Sequence, residues 1–556
     1  MSRPPSPGTQ TGNALDHDST SASVNRLRTL LPTTGPAEAG RRVRELMSLA
    51  ASGGGREALD LAVRYSVRSD CSTAELVRWW AVADGDPYGF CDLPAPAYRA
   101  RKAVRKLVEL SAPGDGGHAL RLAARFIPAD AYASKFLVRL WRTVRDPDAF
   151  AEHLLAPAFR QEGRTELRLP YASSLRGLRH LTMLETLHFE QCGKLTDLTE
   201  VGALTRLTDL RLGGCTALED LTPISRLSRL TRLDLSHCER IEDFAPLLSL
   251  RHLRELNLYG TRFDSVRGFG QALTALESLD LRSCRSFTDL EGLAVLPSLT
   301  ELRLSNLDRL SDLTPFAALP RLRSLGLHDC GALRSLEGLG SHPQLAKLGI
   351  HGGPELRTLE GLGEQPALRE LSLTHCPALA DLKGADRLPA LRTLLINGTA
   401  VRDLGDLSGS PLATLTLFYM KHLESLNALR DCPDLRQLDM TDCPLVEDIP
   451  LDQLDRLSLS GAHWTDLSRL AGPRAPRTPE TGTSGPQGTA PGAPLSHLAV
   501  LDLRHCRSLE DIRPLLDLPS LTHVHLAERT CSSPPGATDP VVTELRARGV
   551  TVTLHP

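Results

Sequence analysis

Leu184-Glu185-Thr186-Leu187-His188-Phe189-Glu190-Gln191-Cys192 sets a pattern that the chain then repeats. Leu210-Arg211-Leu212, Leu233-Asp234-Leu235, Leu256-Asn257-Leu258, Leu279-Asp280-Leu281 and Leu302-Arg303-Leu304 follow, and the series runs on to Leu394-Leu395-Ile396. From Leu187 to Leu394 every step is 23 residues. A fixed period in the twenties on an L-x-x-L-x-L core marks a solenoid, in which a coil cannot bury its own leucines and stacks on its neighbours instead. Later steps are 21 (Leu415), 23 (Leu438), 19 (Leu457), 44 (Leu501) and 23 (Val524). A Pro/Gly/Thr/Ser tract at 472–494 fills the long step and is expected to be a disordered convex loop after Leu470. Upstream the repeats begin weakly, at Leu167-Arg168-Leu169.

Working outward, residues 163–530 form the solenoid. Residues 1–25 are Ser/Pro/Gly-rich and read as a disordered tail. Residues 26–162 switch to helical spacing. In that segment Ser72-Thr73-Ala74-Glu75 is a capping box, opening a helix that carries Trp79 and Trp80. Residues 531–556 read as a C-terminal cap: a helix with Asp539-Pro540 at its start and Gly549 at its end, then a strand at Val550–Leu554. The helical segment is expected to cover the opposite end.

The 556-residue chain carries a formal charge of −3, which favours neither nucleic acid nor an acidic tail. That balance hides a split: residues 26–165 carry +6 and residues 166–556 carry −8. No secretory h-region and no run of about 18 apolar residues is visible, so a cytoplasmic chain without membrane spans is expected.

Each column of the repeat has its own demand. Cys192, Cys215, Cys238, Cys284, Cys330, Cys376, Cys443 and Cys506 occupy one inward position, and Thr261 and Thr399 replace them. With no C-x-x-C pair, small buried residues meeting nearby backbone fit better than metal or disulfides. A second column reads Asp197, Asp220, Asp243, Ser265, Asp289, Asp312, Ser335, Thr358, Asp381, Asp403, Ser425, Asp448, Asp466 and Asp511. One acceptor per coil suits capping of the turn into the convex segment, not calcium, which needs converging ligands. Pro223, Pro246, Pro315 and Pro514 follow this column where a helical first turn lacks N–H partners.

The remaining variable columns are expected to face solvent on the concave strand surface. There the candidate partner contacts are Arg211, Asp234, Asn257, Tyr259, Asp280, Arg282, Arg303, His328, His351, Phe418, Tyr419 and Asp439. Tyr259, Arg282 and Arg303 fall on successive coils, and aromatic and Arg residues are the usual interface anchors. His328 and His351, or His523 and His525, supply too few ligands for zinc. No P-loop, dinucleotide fingerprint, zincin motif or nucleophile elbow occurs, so no catalytic residue is assigned and no cofactor is implied. Arg99, Arg101, Lys102, Arg105 and Lys106 form a basic helix face, a candidate contact for an anionic ligand. Nucleic-acid binding there is the weaker reading, because the segment's charge is modest and no helix-turn-helix follows.

The consensus L-x-x-L-x-L-x-x-C-x-x-L-x-D-L-x-P-L resembles bacterial leucine-rich repeats of internalin type, with one residue added after the cysteine in most units. That resemblance covers about 167–556. It implies an α/β horseshoe, with parallel strands on the concave face and short helical or 3-10 turns on the convex face, preceded by an all-α segment. Only seven of the 64 basic residues are lysine, as in high-GC bacterial genomes. Cys-and-Asp repeats closing on Glu544-Leu-Arg-Ala-Arg-Gly-Val-Thr-Val552 are similar to the C-terminal sensor half of actinobacterial NACHT-type signalling ATPases. Their nucleotide-binding module is not seen, so no nucleotide residue carries over. The leading expectation is a non-enzymatic scaffold binding a protein partner through the concave face. The alternative is a sensor subunit working with a separately encoded nucleotide-binding subunit.

Overall fold

The computed structural model describes residues 36–49, 61, 104–105, 108, 118–124 and 133–555, apart from 308–309, 312, 447–448, 450–451, 462–463, 466, 471–494, 507 and 529–538. The predicted tail, the capping box, the 472–494 insertion and four of the five cations between Arg99 and Lys106 lie outside the described residues. The chain forms two compact units, residues 1–210 with 220–230, and residues 211–219 with 231–556.

In the first unit, helix Ala133–Trp141 leads into a second helix from Pro147 to Gln161, wound in the wider π form over Ala151–Leu155. Asp146 caps it by accepting from the Ala149 amide at 3.3 Å, and Pro147 stands where an N–H would have no partner. Phe150, Leu154, Leu155 and Phe159 are completely buried. Gly177 sits at φ 91, and a Cβ there would lie 2.5 Å from the Pro147 carbonyl oxygen, so this helix rests directly on the first convex turn. Trp141 Nε1 donates to the Arg176 carbonyl at 3.2 Å, and Asp148 holds Arg179 at 2.7 Å and His180 at 3.0 Å. The helix therefore covers the first coil. Strand Glu166–Pro170 pairs in parallel with Thr186–Glu190, Leu167 opposite Leu187. The repeat that looks weak in sequence is fully in register.

In the second unit every strand from Arg232–Asp234 to Thr551–His555 lies parallel beside its neighbours in chain order. This is a leucine-rich-repeat solenoid. The short steps set Leu394 opposite Leu415 and Leu438 opposite Leu457, and the long one sets Leu457 opposite Leu501. Stacked leucines fix the register, since a one-residue slip would turn them all outward. Length changes are thus absorbed away from the strands. Each buried leucine contributes roughly 2 kcal/mol of transfer free energy. One bulge interrupts the ladder: Ser458 faces Asp502, but Ser460 faces His505. At the end, Asp539 caps helix Pro540–Ala547 through the Val541 amide at 2.8 Å, Gly549 turns the chain at φ 85, and Thr551–His555 pairs with His523–Ala527.

The Asp/Ser/Thr column caps as expected. Asp197, Asp220, Asp243, Ser265, Ser335, Thr358, Asp381, Asp403, Ser425 and Asp511 each accept the amide two residues on, and Asp289 the amide three on, at 2.7–3.4 Å. Asp312, Asp448 and Asp466 lie outside the described residues. Pro223, Pro246, Pro315 and Pro514 occupy the first positions of the short helical turns that follow. The thiols reach back to the preceding coil, as where Cys192 meets the Leu169 carbonyl and Cys284 that of Leu258, both at 3.1 Å. Burial pushes Cys238 and Cys506 up to about 12.

A third column escaped the sequence reading. Tyr171, Gln191, His237, Ser283, Asn306, Asp329, His375, Tyr419 and Asp442 all have φ between 50 and 59, and Gly214, Gly260, Gly352 and Gly398 share the position. The left-handed turn lets each amide continue the ladder, as where His237 N–H donates to the Tyr259 carbonyl at 2.7 Å, while the next residue enters the core. A second departure lies on the convex side. No helical turn lies between 328 and 347 or between 351 and 370 among the described residues. At a position held by Leu319 and Leu388 in other coils, buried His342 and Gln365 bridge backbone carbonyls instead. The His342 ring nitrogens lie 3.2 Å from the Leu319 oxygen and 2.9 Å from the Leu339 oxygen, and Gln365 Nε2 donates to Gly340 and Leu362 at 2.7 and 2.6 Å.

Candidate binding face

Alternation along each strand sends leucines inward and the intervening residues onto one open face. On the second unit that face carries its densest chemistry around Tyr259. The His237 ring meets the Tyr259 ring edge-on at 4.7 Å, and the Arg282 guanidinium lies 5.3 Å from the Tyr259 centroid on the other side. Arg282 also forks onto Asp280, with donor–acceptor distances of 2.7–3.1 Å, and Arg303 approaches the same carboxylate at 3.8 Å. This ion pair holds the guanidinium over the phenol ring. Packed on both sides, Tyr259 can meet a partner at little further loss of rotamer freedom.

Asp280 corrects the expectation of a solvent-facing column. It is only 7% exposed, because Arg282 covers it and its carboxylate also accepts the Arg282 amide at 3.1 Å. Asp234 and Asn257 do the same for the Ser236 and Tyr259 amides, at 2.9 and 3.0 Å. The strands there are three residues long, and these side chains close their ends. Such acceptors shape the face from within the chain. Arg211 and Arg303 are exposed, and Phe418 is half-buried beside Tyr419, which is 51% exposed at φ 52. Asp439 accepts from Gln437 Nε2 at 2.9 Å.

His328 and His351 lie 5.6 Å apart, and His375, from the left-handed column, meets His351 at 4.8 Å. Burial, then Arg282 and His351, pushes His328 below the ordinary imidazole range. The three rings run along the coils without converging. Among the described residues no three His, Cys, Asp or Glu side chains could hold a metal ion. Of the basic stretch, Arg105 alone is described: it is exposed, 5.8 Å from the Phe136 centroid, while Arg99, Arg101, Lys102 and Lys106 lie outside. Among the described residues no helix is long and apolar enough to cross a membrane.

His237 and His375 belong to the face and were missed in sequence because they lie just beyond the L-x-L-x pattern. A signal existed: Gly214, Gly260, Gly352 and Gly398 recur at that position in steps of 23 or its multiples.

Comparison with known proteins adds the following. No family model matches the chain, and no curated protein matches it. Among solved structures, an internalin from Listeria monocytogenes is 19% identical, covering 78% of this chain and 98% of its own, with a TM-score of 0.35. A leucine-rich-repeat protein of Leptospira interrogans is 17% identical, covering 70% and 95%, with a TM-score of 0.46. The Toll–Spätzle complex of Drosophila gives 17% identity, 67% and 55% coverage and a TM-score of 0.42. At these scores the repeat architecture rests on the register of the chain's own strands.

Proposed function

We propose that this protein is a non-enzymatic recognition scaffold that holds a protein partner on the open strand face, centred on Tyr259 and Arg282. One observation carries the reading: an aromatic ring fixed between an imidazole at 4.7 Å and a guanidinium at 5.3 Å, at positions the core leaves free. Pre-ordered Tyr and Arg side chains are what protein interfaces use as anchors. Phe418 and Tyr419 extend the apolar contribution along the same face. The nine described cysteines are all buried thiols, which supports a reducing, cytoplasmic setting. Affinity capture from the native cell, read by mass spectrometry, tests the reading. Replacing Tyr259, Arg282 and Phe418 together by Ala should remove the partner recovered by the wild type while the thermal midpoint falls by only a few degrees. Undiminished capture by the triple variant rejects this face.

A further inference from the structure

The C-terminal end of the open face holds a cleft of about 330 Å³ that shares only Asp439 with the candidate partner contacts. Register explains why it is there. Asp439, Ser458 and Asp502 stand side by side on strands Gln437–Thr441, Arg456–Ser460 and Val500–His505, so a small hydroxyl separates two carboxylates. The bulge after Ser458 then displaces the third strand.

Its charged groups fall into two sets. Asp502 and Arg504 neutralise each other through a fork of bonds at 2.6–3.0 Å. Asp439 and Arg456 do not: Asp439 accepts from the neutral Gln437 amide, and neither forms an ion pair among the described residues. The wall thus presents one carboxylate and one guanidinium outside any ion pair among the described residues, with Ser458 opposite Asp439 in the register. A purely cationic ligand on Asp439 would meet the repulsion of Arg456, and a purely anionic one on Arg456 that of Asp439. A ligand carrying both charges a few ångströms apart complements both at once. The volume is at the small end of ligand sites.

We propose that this cleft binds a small zwitterion of the α-amino-acid type. Its ammonium sits on Asp439, its carboxylate is held by the Arg456 fork, and its side chain lies toward Val500 and His525. The proposal stands apart from the partner reading, and either can fail alone.

Calorimetric titration of the full chain with each standard L-amino acid tests it. At least one should bind, and its N-acetyl and methyl-ester derivatives, each lacking one charge, should bind at least about tenfold more weakly. D439N and R456Q should each weaken the amino acid by a similar factor with an unchanged thermal midpoint. The blocked derivatives keep the test independent of how the variants fold. Failure of every amino acid to bind overturns the proposal. So does an amino acid whose affinity is unmoved by blocking either charge.

Discussion

Asp243 does one job, accepting the Ala245 amide at 2.8 Å where the chain leaves the core for the convex side. Replacing it by Ala should cost about 1 kcal/mol, read as a lower urea midpoint at constant slope. The same bonds make the solenoid acid-sensitive. Hydrogen bonds from Thr199, Thr222 and Arg513 hold Asp197, Asp220 and Asp511 below the ordinary carboxylate range. A folded-state value below the unfolded one means that the unfolded chain binds more protons. The stabilisation is therefore present above about pH 4 and lost as pH falls through the folded values. Thermal midpoints should drop on acidification below about pH 4, and by less in the triple Asp→Asn variant. An equal drop in both would contradict this. His237 predicts the opposite trade. At φ 57 it occupies backbone space that glycine enters without penalty, so His237→Gly should leave stability equal or raised by up to about 1 kcal/mol. Partner capture should nevertheless weaken, because Tyr259 loses the ring packed against it. The caps were legible in sequence because one short acceptor recurs once per coil. The left-handed column was hidden because six residue types besides glycine carry a requirement of the backbone rather than of chemistry.

At the scale of the element, the strands were legible because their demand is apolar and periodic. The convex turns were less so. His342 and Gln365 look like surface residues, yet both are buried and bonded to backbone carbonyls in coils that lack a helical turn. Apolar restoration should therefore fail: His342→Leu recovers the usual side chain but removes the ring N–H that a backbone carbonyl accepts, at a cost of about 1–3 kcal/mol. Equilibrium unfolding in urea measures it, and an unchanged or higher midpoint would contradict the bridging role. The bulge at Ser458 could not be read either, since the register shift falls between Asp502 and His505 and leaves the recurring L-x-L triplet unchanged. Asp280 was misplaced for a related reason. Alternation gives the face a side chain occupies, but not the neighbour that will cover it.

At the scale of the molecule, the repeat separates two tasks. Inward columns are bound by packing and by polar satisfaction. Outward columns are free except where Asp234, Asn257 and Asp280 close short strands. The stacking was legible almost entirely from one recurring triplet. Which outward residues remain available to a partner was not, because that depends on contacts between coils, such as Arg282 on Tyr259. The account stands or falls on whether the strand face is where the partner sits. A photo-crosslinking residue placed at Phe418, on that face, or at Val295, 56% exposed in the turn Glu291–Val295, reads this in the native cell. Adducts to a partner from position 418 and none from position 295 are predicted; adducts from 295 alone would contradict the account.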